Sequence, residues 1–421
     1  MQLLIQRARI VDPGSLHHGK ILDIYIEEGK IRRLGTEINA PGVQVFPHSG
    51  VCVSPGWIDI GAQVCDPGFE HREDLSSATA SAAAGGYTAI APFPNTLPPV
   101  SGKAEVAYLR SKTSGGLVDV HPVGTISENG AGKQIAELMD MAKAGAVAFS
   151  DGLHAVKHSG LMLRALQYVR SFNGLVINRP FDEELAFDGQ VHEGLVGLGL
   201  GLRGIPNLSE DMMAQRDLSL NAYAASRLHI YGVSSGRTVE LVRQAKAAGM
   251  EVTCSVPVLN IAFDDSALEG YDANFKVLPP LRGAEDRQAL CAGLVDGTID
   301  FVVSNHVPLE PEQKLLEFPY AEFGAIGLET TFGLMNKYLS GILDLDSMVR
   351  IFALRPREVL GLSMPGIQEG ERANLTIFDP ERRWKVSADA MHSRSRNTPL
   401  DGAELKGRVL GVVNNGAAWW I

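Results

Sequence analysis

From Pro55 onward, short apolar runs that end in polar residues alternate with Ala-rich amphipathic stretches, and this alternation most tightly constrains the fold. The runs are TAIAPF (88–93), GAVAFSD (145–151), GLVINR (174–179), LHIYGVSS (228–235), EVTCSV (251–256) and IDFVVSN (299–305). Helix-like stretches such as KQIAELMDMAKA (133–144) and TVELVRQAKAAG (238–249) lie between them. Buried strands alternating with helices imply a parallel sheet covered on both faces. At least six such units occur, with the polar residues concentrated at the ends of the runs. An α/β class follows, and a (β/α)8 TIM-like barrel fits better than an open sheet, because the loops after barrel strands carry the chemistry. No 20 to 50-residue repeat is present, which argues against a solenoid.

The two ends of the chain read differently. LLIQRARIVD (3–12) and ILDIYIEEGKIRRLG (21–35) follow the two-residue period of strands, with a hairpin turn at Glu28-Gly29-Lys30. Strand texture returns in GIQEGERANLTIFDP (366–380) and LKGRVLGVVNNGAAWWI (405–421). The expected organisation is a β-sandwich shared by residues 1–54 and 365–421, flanking a barrel over 55–364.

Charge and cysteine use narrow the class of function. Thirty-eight Lys and Arg against 49 Asp and Glu give a formal net charge of −11, which repels polyphosphate, so a nucleic-acid partner is not expected. The four cysteines, Cys52, Cys65, Cys254 and Cys291, show no CxxC spacing, as suits a reducing cytoplasm. The amino terminus carries Gln and Arg within its apolar stretch, and no run approaches the ~20 apolar residues of a spanning helix. Neither a signal peptide nor a membrane segment is expected.

Several segments, in order and from end to end, carry a resemblance. They are PGWID (55–59), DPGFEHREDL (66–75), AAAGGYTAIAPFPNT (82–96), GAVAFSDG (145–152), HIYGVSSGRTVELVRQAKAAG (229–249), NFKVLPPLR (274–282), NHVP (305–308), FGAIGLET (323–330) and NTPLDGAELKGRV (397–409). Together they resemble the cyclic amidohydrolases and, among them, the dihydroorotases. That resemblance implies a barrel whose strand ends bind one or two zinc ions, which polarise an amide carbonyl and generate hydroxide from water.

Against the resembled pattern, the ligand positions of this chain are altered. Where the family has Asp-x-His-x-His after its first strand, this sequence reads Asp59-Ile60-Gly61-Ala62-Gln63, and Cys65 stands in place of a substrate-binding Arg. Gly152 aligns with a metal-contacting Asp, Asn178 and Gly232 with two His ligands, and Asn305 with the Asp that serves as ligand and catalytic base. An ionised Asp buried without its metal would be an uncompensated charge, whereas Gln63, Asn178 and Asn305 are neutral amides that need only hydrogen bonds. The remaining donors, His71, His229, His306, Cys65, Asp59 and Asp151, lack the spacing of a tetrahedral site. His229 reads as a core histidine hydrogen-bonded at a strand end, and His306 as a structural remnant of a substrate-contacting residue. Cys65 has no assignable base to activate it. The glycines of GGYT (85–88) read as close packing of a helix against the next strand.

The resemblance therefore implies a dihydroorotase-like chain of pyrimidine biosynthesis that has lost its metal site, has no intact catalytic residue, and requires no cofactor. Such chains serve as architectural partners of aspartate carbamoyltransferase, and barrels of this family commonly form dimers; both are expected here. Two alternatives stay open. One is an active dihydroorotase, interconverting N-carbamoyl-L-aspartate and L-dihydroorotate, with an atypical metal site. The other is a module that binds a small polar ligand in the old pocket, through residues such as Cys65, Asn95, Arg282 and His306 beside Gln63, Asn178 and Asn305.

Overall fold

The computed structural model describes residues 1–421. Eight parallel strand positions ring the central body: Trp57–Ile60, Tyr87–Ala91, Asp119–Val120 continued by Val123–Gly124, Ala148–Phe149, Leu175–Asn178, Arg227–Ile230, Val252–Pro257 and Phe301–Val303. Their hydrogen bonds form a three-stranded and a six-stranded ladder. The ladders part at His121-Pro122, where proline has no N–H to contribute, so the third strand pairs with one neighbour before the break and with the other after it. They part again between the first and last strands. There the Asp59 carboxylate accepts from the Ser304 backbone N–H and from its hydroxyl, both at 2.8 Å, and the Gln63 N–H donates to the His306 carbonyl at 2.9 Å. The sequence reading counted six of these strands. The resemblance places the first as well, at Asp59, and the strand that the sequence reading lacks is the third, which the His-Pro pair interrupts.

Local sequence explains where the flanking helices begin. Asp74 accepts from Ser77 N–H while the Ser77 hydroxyl takes the Asp74 N–H, a reciprocal box that starts Leu75–Ala84. Ser235 caps Gly236–Ala247 in the loop after the sixth strand. Both caps lie at the carboxyl ends of barrel strands, the face on which barrel sites are built.

Both chain termini enter one eight-stranded sheet. Its order runs Ala417–Trp420, Glu404–Asn414, Leu375–Lys385, Cys52–Pro55, Gln2–Ile10, Ile21–Glu27 and Lys30–Gly35, with Gln44–Val45 also on Gln2–Ile10. The hairpin expected at Glu28-Gly29 is present, with both residues at positive φ. A core of 16 buried residues belongs to this sheet, separate from the 84-residue core of the barrel. No helix is long and apolar enough to cross a membrane.

Sheet and barrel lock together at the amino ends of the first two barrel strands. Trp57 stacks on Phe352 with centroids 5.0 Å apart and meets Phe378 of the sheet at 5.4 Å. Thr376 accepts from Trp57 N–H and donates to the Gly86 carbonyl, while Arg357 donates to the Gly56 carbonyl. Of the glycines of GGYT, Gly86 serves this junction, since a Cβ on it would lie 2.7 Å from the Trp57 ring and 2.9 Å from Val409, while Gly85 ends the helix Leu75–Ala84, where a Cβ would lie 2.2 Å from the Leu328 carbonyl oxygen.

Gly56 is the tightest point of this junction, since a Cβ there would lie 1.9 Å from Asn374 Oδ1 and 2.1 Å from Thr88 Oγ1. Gly56→Ala is expected to cost about 2–3 kcal/mol of unfolding free energy by forcing sheet and barrel apart. Urea unfolding monitored by tryptophan fluorescence measures this, and a cost below about 0.5 kcal/mol, the range of an ordinary surface change, would contradict the packing described.

Candidate functional site

The six aligned ligand positions all lie at the carboxyl ends of barrel strands, and all six residues are buried. Five of them are packed or hydrogen-bonded internally, whereas the Gln63 side-chain Nε2 has no partner. Gly61 sits at φ +91°, and a Cβ on it would lie 2.5 Å from the Tyr231 hydroxyl, so the tyrosine ring occupies the space in front of this strand end. Tyr231 packs edge-on to Phe93 at 4.6 Å. Gly152 is covered likewise, by Asn95, whose Oδ1 would lie 1.8 Å from a Cβ there.

Asn95 therefore holds the loop after the fourth strand. Its Nδ2 donates to the Asp151 carbonyl at 3.1 Å and its Oδ1 accepts from Leu153 N–H at 2.9 Å, which engages both ends of the amide. Asp151, beside the aligned ligand position, turns toward the preceding loop and accepts from Ile126 N–H, Ser127 N–H and the Ser127 hydroxyl. Burial raises its pKa, and these bonds offset part of the effect.

At the fifth strand, Asn178 faces away from the barrel axis. It accepts from Val156 N–H at 3.0 Å and donates to Asp217 at 2.6 Å, a fully buried carboxylate on the helix Leu208–Ala224 that Arg216 also holds. The side chain next in sequence, Arg179, is buried, and burial brings its pKa down to about 10. At the sixth strand, Gly232 leaves open space that Pro279 and Pro257 border at 3.7 and 3.8 Å. His229 is a core residue, as its position suggested. Its Nδ1 meets the Thr253 hydroxyl at 2.8 Å, its Nε2 meets Ser255 at 3.0 Å, and its ring stacks on Phe301 at 4.9 Å. Burial brings its pKa down to about 3 and keeps it neutral.

Asn305, at the eighth strand, donates to the Leu278 carbonyl at 3.2 Å. His306 accepts at Nδ1 from Gly327 N–H, which leaves Nε2 protonated and facing Glu73 at 3.4 Å. Glu73 also binds Ser77, Ser393 and the Arg394 N–H. Burial pushes the Glu73 carboxyl up, but the contacts with His306, Ser393 and Ser77 outweigh it and leave it below the ordinary glutamate range. Glu73 was not singled out from the sequence, and nothing in DPGFEHREDL marks it as the partner of a histidine more than 230 residues away.

Two of the residues expected to line a ligand pocket are likewise committed to internal contacts. Arg282 donates to the Ser234 hydroxyl at 3.0 Å and the Ile205 carbonyl at 2.7 Å, and it faces buried Glu210 at 3.7 Å. Cys65 is buried, and desolvation, reinforced by Glu73, pushes its thiol up to about 12, so no thiolate forms at neutral pH. The structure thus does not bring Cys65, Asn95, Arg282 and His306 together as free groups. Glu210, Asp217, Arg179 and Tyr231 are the polar residues that organise the mouth of the barrel. Only the position of Arg179 and Tyr231 at strand ends could have drawn attention to them.

Zinc requires three or four nitrogen, sulfur or oxygen donors disposed around one point. The aligned positions supply three glycines and three amides, and the Tyr231 ring fills the space beside Gly61. Nowhere do three or more His, Cys, Asp or Glu side chains form a group that would hold a metal ion. The residues present do not fit the ion.

A family model described as Dihydro-orotase-like matches residues 50–238. Similar curated proteins named dihydroorotase include one from Citrifermentans bemidjiense, 39% identical over 419 residues that span 99% of each chain. Another, from Pelotomaculum thermopropionicum, is 41% identical over 411 residues, 97% of this chain and 96% of that one. Among solved structures, L-hydantoinase (dihydropyrimidinase) from Arthrobacter aurescens is 25% identical, with a TM-score of 0.84 over 99% of this chain and 95% of its own.

The neutral core state of His229 has a pH signature. Its pKa is depressed on folding, so stability is complete above the unfolded value near 6.5 and falls as the unfolded chain takes up a proton the folded one refuses. Between pH 7 and 4.5 the stability advantage of the wild type over His229→Gln is expected to shrink by about 2–3 kcal/mol, at ~1.4 per pH unit below 6.5. Parallel stability curves for the two proteins would rule out a buried neutral imidazole.

Proposed function

The chain belongs to the dihydroorotase family, and on that premise we propose that it keeps the family's barrel without the family's chemistry and acts in pyrimidine biosynthesis as a structural partner of aspartate carbamoyltransferase. One observation carries this reading. Every position aligned with a metal ligand or with the catalytic base holds a glycine or an amide, and several are tightly packed or bonded to their neighbours, as at Gly61 beneath Tyr231, Gly152 beneath Asn95 and Asn178 against Asp217. Without a metal, the carbonyl of a cyclic amide has no Lewis acid, and without an Asp at 305 the attacking water has no base there.

An architectural role needs surface rather than a pocket. Phe187, Leu195, Leu198 and Met212 are each more than half exposed in the segment after the fifth strand. Large apolar side chains left in solvent at this density support a role in binding another protein. A homodimer is proposed on the same footing, as the arrangement common to barrels of this family.

Metal analysis of freshly purified protein is expected to give zinc far below one equivalent, with dihydroorotate turnover at background and unaffected by a chelator. One equivalent of zinc together with chelator-sensitive turnover would instead establish an active dihydroorotase with an atypical site.

Co-expression with the aspartate carbamoyltransferase of the same organism is expected to yield a joint complex on size exclusion. Replacing Leu195 and Leu198 by Asp is expected to weaken that complex while leaving thermal unfolding of the isolated chain within about 0.5 kcal/mol, as for other surface changes. Separate elution of the two wild-type proteins at micromolar concentration would defeat the partnership.

A further inference from the structure

The loop after the eighth strand is built inside out. In Lys314-Leu315-Leu316 the lysine is only 6% exposed, while the two leucines are 83% and 47% exposed, and Tyr320 of the same loop is 71% exposed. Lys314 Nζ donates to the Glu322 carbonyl at 2.8 Å and to the Lys276 carbonyl at 3.4 Å. Lys276 is buried as well, and its Nζ donates to the Phe318 and Pro319 carbonyls at 2.9 and 3.0 Å. All four acceptors are backbone oxygens. Burial brings Lys314 down to about 7 and Lys276 down to about 8. Packing preference alone would bury the leucines and expose the lysine, because an ammonium loses far more hydration than a methyl group. The two lysines instead fasten the loop from beneath, in the arrangement that displays Leu315, Leu316 and Tyr320 to solvent.

This loop forms one lobe with the segments after the fifth and seventh strands. Phe318 packs with Val191 and Leu268, one from each segment. The Tyr271 hydroxyl donates to the Leu200 carbonyl at 2.8 Å, and the Tyr271 and Phe318 rings meet edge-on at 6.4 Å. Leu195, Leu198 and Tyr271 thus add to the apolar side chains that the lobe leaves in solvent. Its charge is one-sided. Glu193, Glu269, Asp272, Glu312, Glu317 and Glu322 are all exposed and interleaved in sequence with those apolar residues. Lys276 and Lys314 are buried, and the one exposed cation of residues 183–204, 264–276 and 310–324, Arg203, is paired with Asp188 at 3.3 Å.

We propose that this lobe is a docking surface for a protein whose contact face combines apolar and basic side chains, with Leu315, Leu316 and Tyr320 entering its apolar part and the carboxylates beside them meeting lysines and arginines. Apolar anchors among polar contacts are the common anatomy of a protein interface. The sign of the charge decides against a second copy of this chain. A two-fold pairing through the lobe would set the carboxylates of one copy against those of the other, and like charges in apposition repel. The inference rests on the partnership proposed above and deepens it, since it adds the loop 310–324 to the contact and assigns the partner's face its charge. A homodimer forms, on this account, through another face.

The test uses the full chain and the aspartate carbamoyltransferase of the same organism, with Kd measured by titration calorimetry at about 50 and about 300 mM sodium chloride. The higher salt is expected to weaken the wild-type complex about tenfold, as attraction between opposite charges is screened. Glu312→Lys combined with Glu317→Lys is expected to weaken it about tenfold at low salt and to remove most of the salt dependence. Leu315→Ser combined with Leu316→Ser is expected to weaken it about tenfold with the salt dependence retained, because these side chains supply apolar contact. Both double variants change exposed side chains, so each isolated chain is expected to keep the wild-type Tm and the wild-type oligomeric state on sedimentation. If the wild-type proteins do not associate at micromolar concentration, the partnership fails and this surface with it. If they associate but salt has no effect, or both double variants bind like the wild type, the partnership stands and the proposed surface is overturned. A changed oligomeric state in the double variants would overturn it by assigning the lobe to contact between copies, and a lowered Tm would overturn it by assigning these side chains to folding.

Discussion

Asp59 joins the first barrel strand to the last. No ladder hydrogen bond connects Trp57–Ile60 to Phe301–Val303, and the ring closes through a carboxylate that takes both donors of Ser304, with the Gln63 N–H to His306 carbonyl bond beside it. Burial pushes the Asp59 carboxyl up to about 6, against the pull of those two bonds and of His306. The geometry of the mouth follows from this closure. Gly61 and Gln63 come just after Asp59, Asn305 and His306 just after Ser304, so the side chains facing one another across the seam are placed by a single pair of residues 245 positions apart. Asp59 belongs to the family's Asp-x-His-x-His segment, and it is retained here where both histidines are not.

Around that seam, most residues at the positions aligned with the resembled metal ligands are packed as ordinary interior. A carboxylate or imidazole without its ion would be left unpaired in low dielectric, whereas an amide can be satisfied by backbone. Asn95 illustrates the consequence: its amide now covers Gly152 and fastens the 151–153 loop. Asn178 and Asp217 tie the fifth strand to its outer helix, and Arg282 and Glu210 tie the loop before Gly283 to the start of that same helix. Rigidity supplied by metal bonds in a metalloenzyme is supplied in this chain by hydrogen bonds between neighbouring strand-end loops.

Gln63 Nε2, Arg179 Nη2 and the Tyr231 hydroxyl have no hydrogen-bond partner, and neither do eleven other buried side-chain atoms elsewhere in the chain, Asn260 Oδ1 and Arg357 Nε among them.

Much of the fold was legible in the sequence because it rests on local pattern. The period-two termini, the apolar runs ending in polar residues, the hairpin at Glu28-Gly29 and the glycines and amides at aligned ligand positions are all consequences of which residue follows which. The strand that escaped notice was the third, where the His121-Pro122 pair interrupts the local pattern. The site was less legible. Asn95, Arg282 and His306 could be singled out from the sequence, but which way each side chain turns depends on partners distant in the chain, such as Glu73 for His306. The sequence by itself determined the family and the barrel, because these are carried by residue identity at fixed positions. Only the tertiary structure decided which polar groups pair and which stay unpaired, because burial and hydrogen bonding are set by groups converging from different strands.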